Sequence, residues 1–225
     1  MTPLARPLAI ALLAGTALLG VGAVLHPVLA GDGAAQLGTI AATSYWRPLH
    51  LLMLCGCGLV IAGLWVRLLG DRAGAATPSA AAPLVAALAV IAIGLALNAL
   101  NIAFMAGAGW HMAAMFSAGR QEMSALFDAT HPIGLMSARF GNFLVALGAL
   151  LLGWLEWRDA DTPRWLAALA WLAALGGLVG VLFFDEASPA ALGAVALLSG
   201  WQVVTALRAL RGDARPLDDG VGAHL

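Results

Sequence analysis

The strongest constraint on this chain is the recurrence of apolar runs about twenty residues long, the length an α-helix needs to cross a ~30 Å hydrocarbon layer at 1.5 Å per residue. Six spans follow: Leu4 to Leu29, Trp46 to Leu69, Pro83 to Gly109, Pro132 to Trp157, Pro163 to Phe184 and Pro189 to Leu210. Composition agrees. Of 225 residues 62% are hydrophobic and 10% charged, less than half the ~25% charged residues of a soluble domain. The expected fold class is all-α: a polytopic transmembrane helix bundle of about six spans, one domain over residues 1–211. A tail at 212–225, rich in Gly, Pro and Asp, is expected to be disordered.

Charge sets the orientation. All basic residues are arginines, and the formal net charge is -1, which excludes a polycationic nucleic-acid binder. Arg6, Arg67, Arg72, Arg158, Arg164, Arg208, Arg211 and Arg215 fall on one side of a six-span arrangement, and Arg47, Arg120 and Arg139 on the other. Arginine-rich loops stay in the cytoplasm, so both termini are expected there, in a multi-pass protein of the cell membrane, as in a bacterial inner membrane. Residues 30 to 45, 110 to 131 and the turn Asp185 to Ala187 then lie outside. Trp65, Trp154, Trp157 and Trp165 at the inner ends, and Trp46 and Trp110 at the outer ends, read as interfacial anchors. A rival reading makes the first span a cleaved signal peptide ending at Val28-Leu29-Ala30. Its apolar stretch exceeds the ~7 to 15 residues of a usual signal core, which favours a retained span.

Helix starts are marked at Thr162-Pro163 and Ser188-Pro189, and more loosely at Thr130-His131-Pro132 and Ser44 before Pro48. The outer loop from Trp110 to Asp128 has the mixed pattern of a surface helix. Residues Gly31 to Thr43 read as a short helix or re-entrant cover. Two His-Pro pairs, His26-Pro27 and His131-Pro132, stand before similar Leu-, Gly- and Trp-rich segments, a faint hint of a repeated hairpin.

The histidines are the candidate site. His26, His50, His111 and His131 all fall at the outer edge, while His224 lies in the tail. Polar groups near hydrocarbon need partners and tend to face the bundle interior or a wet cavity. Asn98, Asn101 and Met105 share one face of the third span. His131, Leu135, Arg139 and Asn142 follow a face of the fourth, and His50, Met53 and Cys57 one of the second. Asn98, Asn101, Met105, Arg139 and Asn142 are thus candidate pocket-lining residues. Arg139 needs a carboxylate, an anion or water, with Asp32, Glu122, Asp128, Asp185 and Glu186 as candidate partners.

Imidazoles from different helices can ligate Cu, Fe or Zn, or the two axial positions of haem b. Met53, Met105, Met112, Met115, Met123 and Met136 lie in the outer half, where thioether sulfur suits Cu(I). No spacing matches a recognised metal motif, and the nucleotide-loop, serine-elbow and zinc-helix signatures are missing. Cys55-Gly56-Cys57 points its sulfurs to divergent faces and reads as a small-residue packing surface. Glu156 is the only acid within a span, unlike the interior of a proton-driven pump.

Three functions fit. The first is a non-catalytic accessory or assembly subunit, its outer His/Asn/Arg pocket structural or open to a membrane protein partner or a second copy of the chain. The second is a haem- or transition-metal-binding membrane protein using the outer histidines. The third is a small transporter or outer-leaflet enzyme working through Arg139. No catalytic residue is assigned.

Overall fold

A computed structural model of the chain describes residues 4–71, 78–159, 162–183 and 189–211. Every regular element among them is helical. In chain order they are α1 (Ala5–Leu25), α2 (Gly33–Ala42), α3 (Trp46–Leu64), α4 (Val66–Asp71), α5 (Pro78–Phe104), a π-turn (Met105–Gly109), α6 (Trp110–Ser117), α7 (Glu122–Arg158), α8 (Arg164–Phe183) and α9 (Pro189–Arg211). Five stretches are long and apolar enough to cross a membrane: Ala5–Leu25, Trp46–Leu68, Ala82–Ser117, Glu122–Arg158 and Arg164–Phe183. The sixth expected span corresponds to α9. The turn Asp185 to Ala187, the Ser188 cap, Arg72, Arg215, Glu186, His224 and the tail lie outside the described residues.

The long helices form a closed ring. α1 packs on α3, α3 on α5, α5 on α7, α7 on α8, α8 on α9, and α9 returns to α1. Glycine makes the close seams. A Cβ on Gly15 would fall 2.7 Å from the Val60 amide and 2.8 Å from the Gly56 carbonyl, and one on Gly63 2.4 Å from the Leu12 amide. Across α5 and α7, a Cβ on Gly94 or on Gly141 would each fall 2.5 Å from the carbonyl of the other. Backbones this close gain dispersion contact that lipid cannot supply. Gly56 thus packs on α1 as its spacing suggests, while Cys55 is exposed and Cys57 buried.

Over one end of the ring sits a cap. Leu37 and Ile40 of α2, Trp46, Met105, Met112 and Ala113, and Met123 and Phe127 of α7 form a second apolar cluster there. The segment 31–43 is the expected short helix, with Asp32 capping it by accepting from the Ala35 amide at 2.9 Å. The segment 110–131 differs from expectation. Residues 110–117 continue the preceding span through the π-turn, and α7 runs unbroken past Pro132. His131-Pro132 is therefore interior to a helix, whereas His26-Pro27 ends one, so the two pairs do not mark equivalent points of a repeat. At 37 residues α7 is about 55 Å long, well beyond a ~30 Å core, and its first turns belong to the cap.

Two local readings also change. Thr162 turns its hydroxyl to Asp159 Oδ2 at 2.6 Å, and α3 starts after Tyr45 with no side-chain cap. Trp46 is fully buried, while Trp110 is exposed and carries the Arg47 guanidinium over its ring. Trp110 has the surface placement of an anchor; Trp46 is core.

Candidate functional site

The α1–α3 seam is antiparallel. Leu12 meets Gly63, Gly15 meets Gly56 and Val60, and Gly22 meets Met53. One turn further toward the cap, that register brings His26, the residue ending α1, onto His50 of α3. Their Nε2 atoms are 3.2 Å apart, with ring centroids 5.0 Å apart and planes inclined at 68°. His50 is buried and His26 half-buried.

The backbone fixes the proton on His50. Its Nδ1 lies 2.8 Å from the Trp46 carbonyl, which can only accept, so Nδ1 carries the hydrogen and a neutral ring presents its Nε2 lone pair to His26. The backbone of Pro27 is a hydrogen-bond partner of His26. Proline has no N–H, so that partner is its carbonyl. With Nε2 turned to His50, the nitrogen left for Pro27 is Nδ1. Both imidazoles thus direct a hydrogen to a carbonyl and a lone pair to one another. Two lone pairs at that distance repel unless a cation lies between them.

Trp46 shelters the pair. Its ring centroid lies 4.4 Å from His50 and 5.0 Å from His26. Its indole Nε1 donates to the Met105 carbonyl at 3.1 Å, at the head of the π-turn. A π-turn lengthens the hydrogen-bond step and loosens carbonyls from the α pattern; here one of them anchors the indole that walls the dyad.

The other expected site residues divide. His131 is buried between Phe127, 4.5 Å from its ring centroid, and Phe104, 6.4 Å away and nearly parallel. His111 is exposed on α6. Neither completes the dyad: among the described residues, no three His, Cys, Asp or Glu side chains gather as ligands for one metal ion. Asn98 donates to the Gly94 carbonyl at 3.2 Å and to Asn142 Oδ1 at 3.0 Å, tying α5 to α7. Asn101 Oδ1 lies 2.5 Å from where a Gly134 Cβ would be, on the same seam. Arg139 is half-buried on α7, just before Asn142 in the chain. Of its proposed partners, Glu122 pairs with Arg120. Met105, Met112 and Met123 are cap core and Met136 faces outward. Met53 lies against Gly22, one turn from the dyad.

A second polar group sits at the opposite, arginine-rich end. Glu156 is 1% exposed, accepts from Trp201 Nε1 at 3.1 Å and pairs with Arg67 at 3.3 Å. Arg158, its expected neighbour, stacks on Trp154 instead. Thr16 donates to Gln202 Oε1 at 2.8 Å between α1 and α9. Isolated polar residues in apolar spans are the signal that marks such contacts; their partners are set by helix order. Comparison with protein-family models, curated proteins and solved structures finds no match, so the histidine dyad and its surroundings are what a functional assignment can rest on.

Proposed function

We propose that this protein is a multi-pass membrane protein that binds a transition-metal ion at its outer face through His26 and His50. One observation carries the reading: two imidazole Nε2 atoms 3.2 Å apart, with both hydrogens committed to backbone carbonyls. Metal–imidazole bonds of about 2.0–2.1 Å that span this gap meet at an angle of roughly 100°, close to tetrahedral. Hydrogen-bonding the far nitrogen to a carbonyl is also how proteins orient metal-ligating histidines. Haem does not fit between the two rings. Its axial nitrogens stand on opposite faces of the macrocycle, about 4 Å apart at these bond lengths, and the gap here is 3.2 Å.

The bilayer surrounds the ring of helices, and the cap over the dyad faces outward if the arginine-rich end is cytoplasmic. A retained first span is part of the reading, because α1 supplies His26. The test is metal analysis of the detergent-purified protein after equilibration with Zn(II) or Cu(I). About one ion per chain is expected, and His26→Ala or His50→Ala should weaken retention at least about tenfold, the scale on which even supporting residues of metal sites act. His111→Ala and His131→Ala should retain metal as the parent does. A parent protein that holds metal no better than the His26→Ala/His50→Ala variant would refute the assignment.

A further inference from the structure

We infer that the thioether of Met53 is a third ligand of this site and makes it selective for Cu(I). The inference rests on the metal-binding reading of His26 and His50. Two imidazoles leave an ion short of ligands, and among the described residues no further His, Cys, Asp or Glu completes the set. The missing ligand is therefore water or a group of another kind. Met53 stands three residues after His50, on the same face of α3. Long side chains on a helix lean toward its N-terminus, over the preceding turn, which for Met53 is the turn of His50.

On the facing helix a place is cut for it. Gly22 precedes His26 by four residues, and a Cβ there would fall 2.2 Å from Met53 Cγ and 2.8 Å from Met53 Sδ. The side chain thus occupies the space that any other residue at 22 would fill. It lies on the bundle side of the dyad, opposite the Trp46 indole, and it is half-buried, so it can swing. Soft sulfur with two imidazoles favours Cu(I), whereas Zn(II) is served by nitrogen and oxygen donors and gains little from a thioether.

The experiment compares the full-length parent with Met53→Leu, which keeps the apolar bulk and removes sulfur, and Gly22→Ala, which keeps sulfur and displaces it. Cu(I) affinity is measured by competition with bicinchoninate, and Zn(II) affinity with a chromophoric chelator. Both variants should lose at least about tenfold in Cu(I) affinity and stay within about twofold of the parent for Zn(II), which also reports that the dyad is folded. A sulfur scatterer in the copper X-ray absorption spectrum of the parent should be absent from Met53→Leu. Unchanged Cu(I) affinity in Met53→Leu overturns the thioether ligand while the dyad stands, and so does an equal loss for both metals, which marks Met53 as packing. If the parent binds neither ion, the dyad reading itself falls.

Discussion

Removing the charge of Glu156 should destabilise the fold, and removing the charge of Arg67 as well should restore it. Glu156 is 1% exposed, and its Oε1 is 3.3 Å from Arg67 Nη2. Glu156→Gln leaves an acceptor for the Trp201 indole, so the loss is mainly the counter-charge. Breaking a buried pair at one partner costs about 3–5 kcal/mol. An arginine set in hydrocarbon costs ~2.5 to 3.5 kcal/mol on insertion scales, and Arg67 retains 12% exposure through which to reach the interface. The two ranges overlap near 3 kcal/mol, the expected loss for Glu156→Gln. Arg67→Met should cost as much or more, because Glu156 has almost no exposed surface. In the double variant no charge of the pair remains and the introduced amide oxygen still accepts from Trp201, so stability should return to within about 1 kcal/mol of the parent. The buried Cys57 thiol is a natural probe: in a Cys55→Ala background, its reaction with a fluorogenic maleimide during denaturation in detergent follows opening of the bundle. A double variant no more stable than the weaker single variant would refute the ion-pair account.

Other consequences are as direct. Gly141→Ala should cost about 1–3 kcal/mol in the same assay, since its Cβ would meet the Gly94 backbone and the Asn98 amide, neither of which can yield cheaply. Thr16→Val should cost roughly 1 kcal/mol by stranding Gln202 between α1 and α9. Trp46→Phe removes the indole donor to Met105 and should both destabilise the cap by about 1 kcal/mol and weaken metal retention. Metal should be released as pH falls through about 6, because imidazole must lose its proton to ligate and its reference pKa is ~6.5; retention that is flat from neutral pH to mild acid would exclude histidine ligation.

Periodicity and length were enough to place the apolar helices, because a membrane crossing is a local property of twenty residues. What they could not supply was pairing. His26 and His50 are ordinary helix-end histidines until the Gly15, Gly56 and Gly63 seam sets the register that joins them. Trp46 shares its composition cue with any interfacial tryptophan, and only the folding of α2, α6 and the start of α7 over it makes it core. Pro132 looked like a helix start because proline is tolerated there; inside α7 it forfeits one hydrogen bond, which the packing of a 37-residue helix on α5 and α8 outweighs. The asparagines were legible as polar partners, and Asn98 and Asn142 find each other across a seam that permits nothing larger than glycine.

The π-turn at Met105–Gly109 implies a fixed spacing between bundle and cap. A π-turn is an α-helix holding one residue too many. Deleting a single residue from this segment would let the helix close into regular α geometry, and everything beyond would rotate by about 100°. Met112 and Ala113 would then leave the apolar cluster, and the Met105 carbonyl would return to its own helix and abandon the Trp46 indole. One alanine removed at position 106 or 108 should therefore leave five membrane-length helices intact and unroof the histidines, a lesion measured in degrees of rotation rather than in lost contacts.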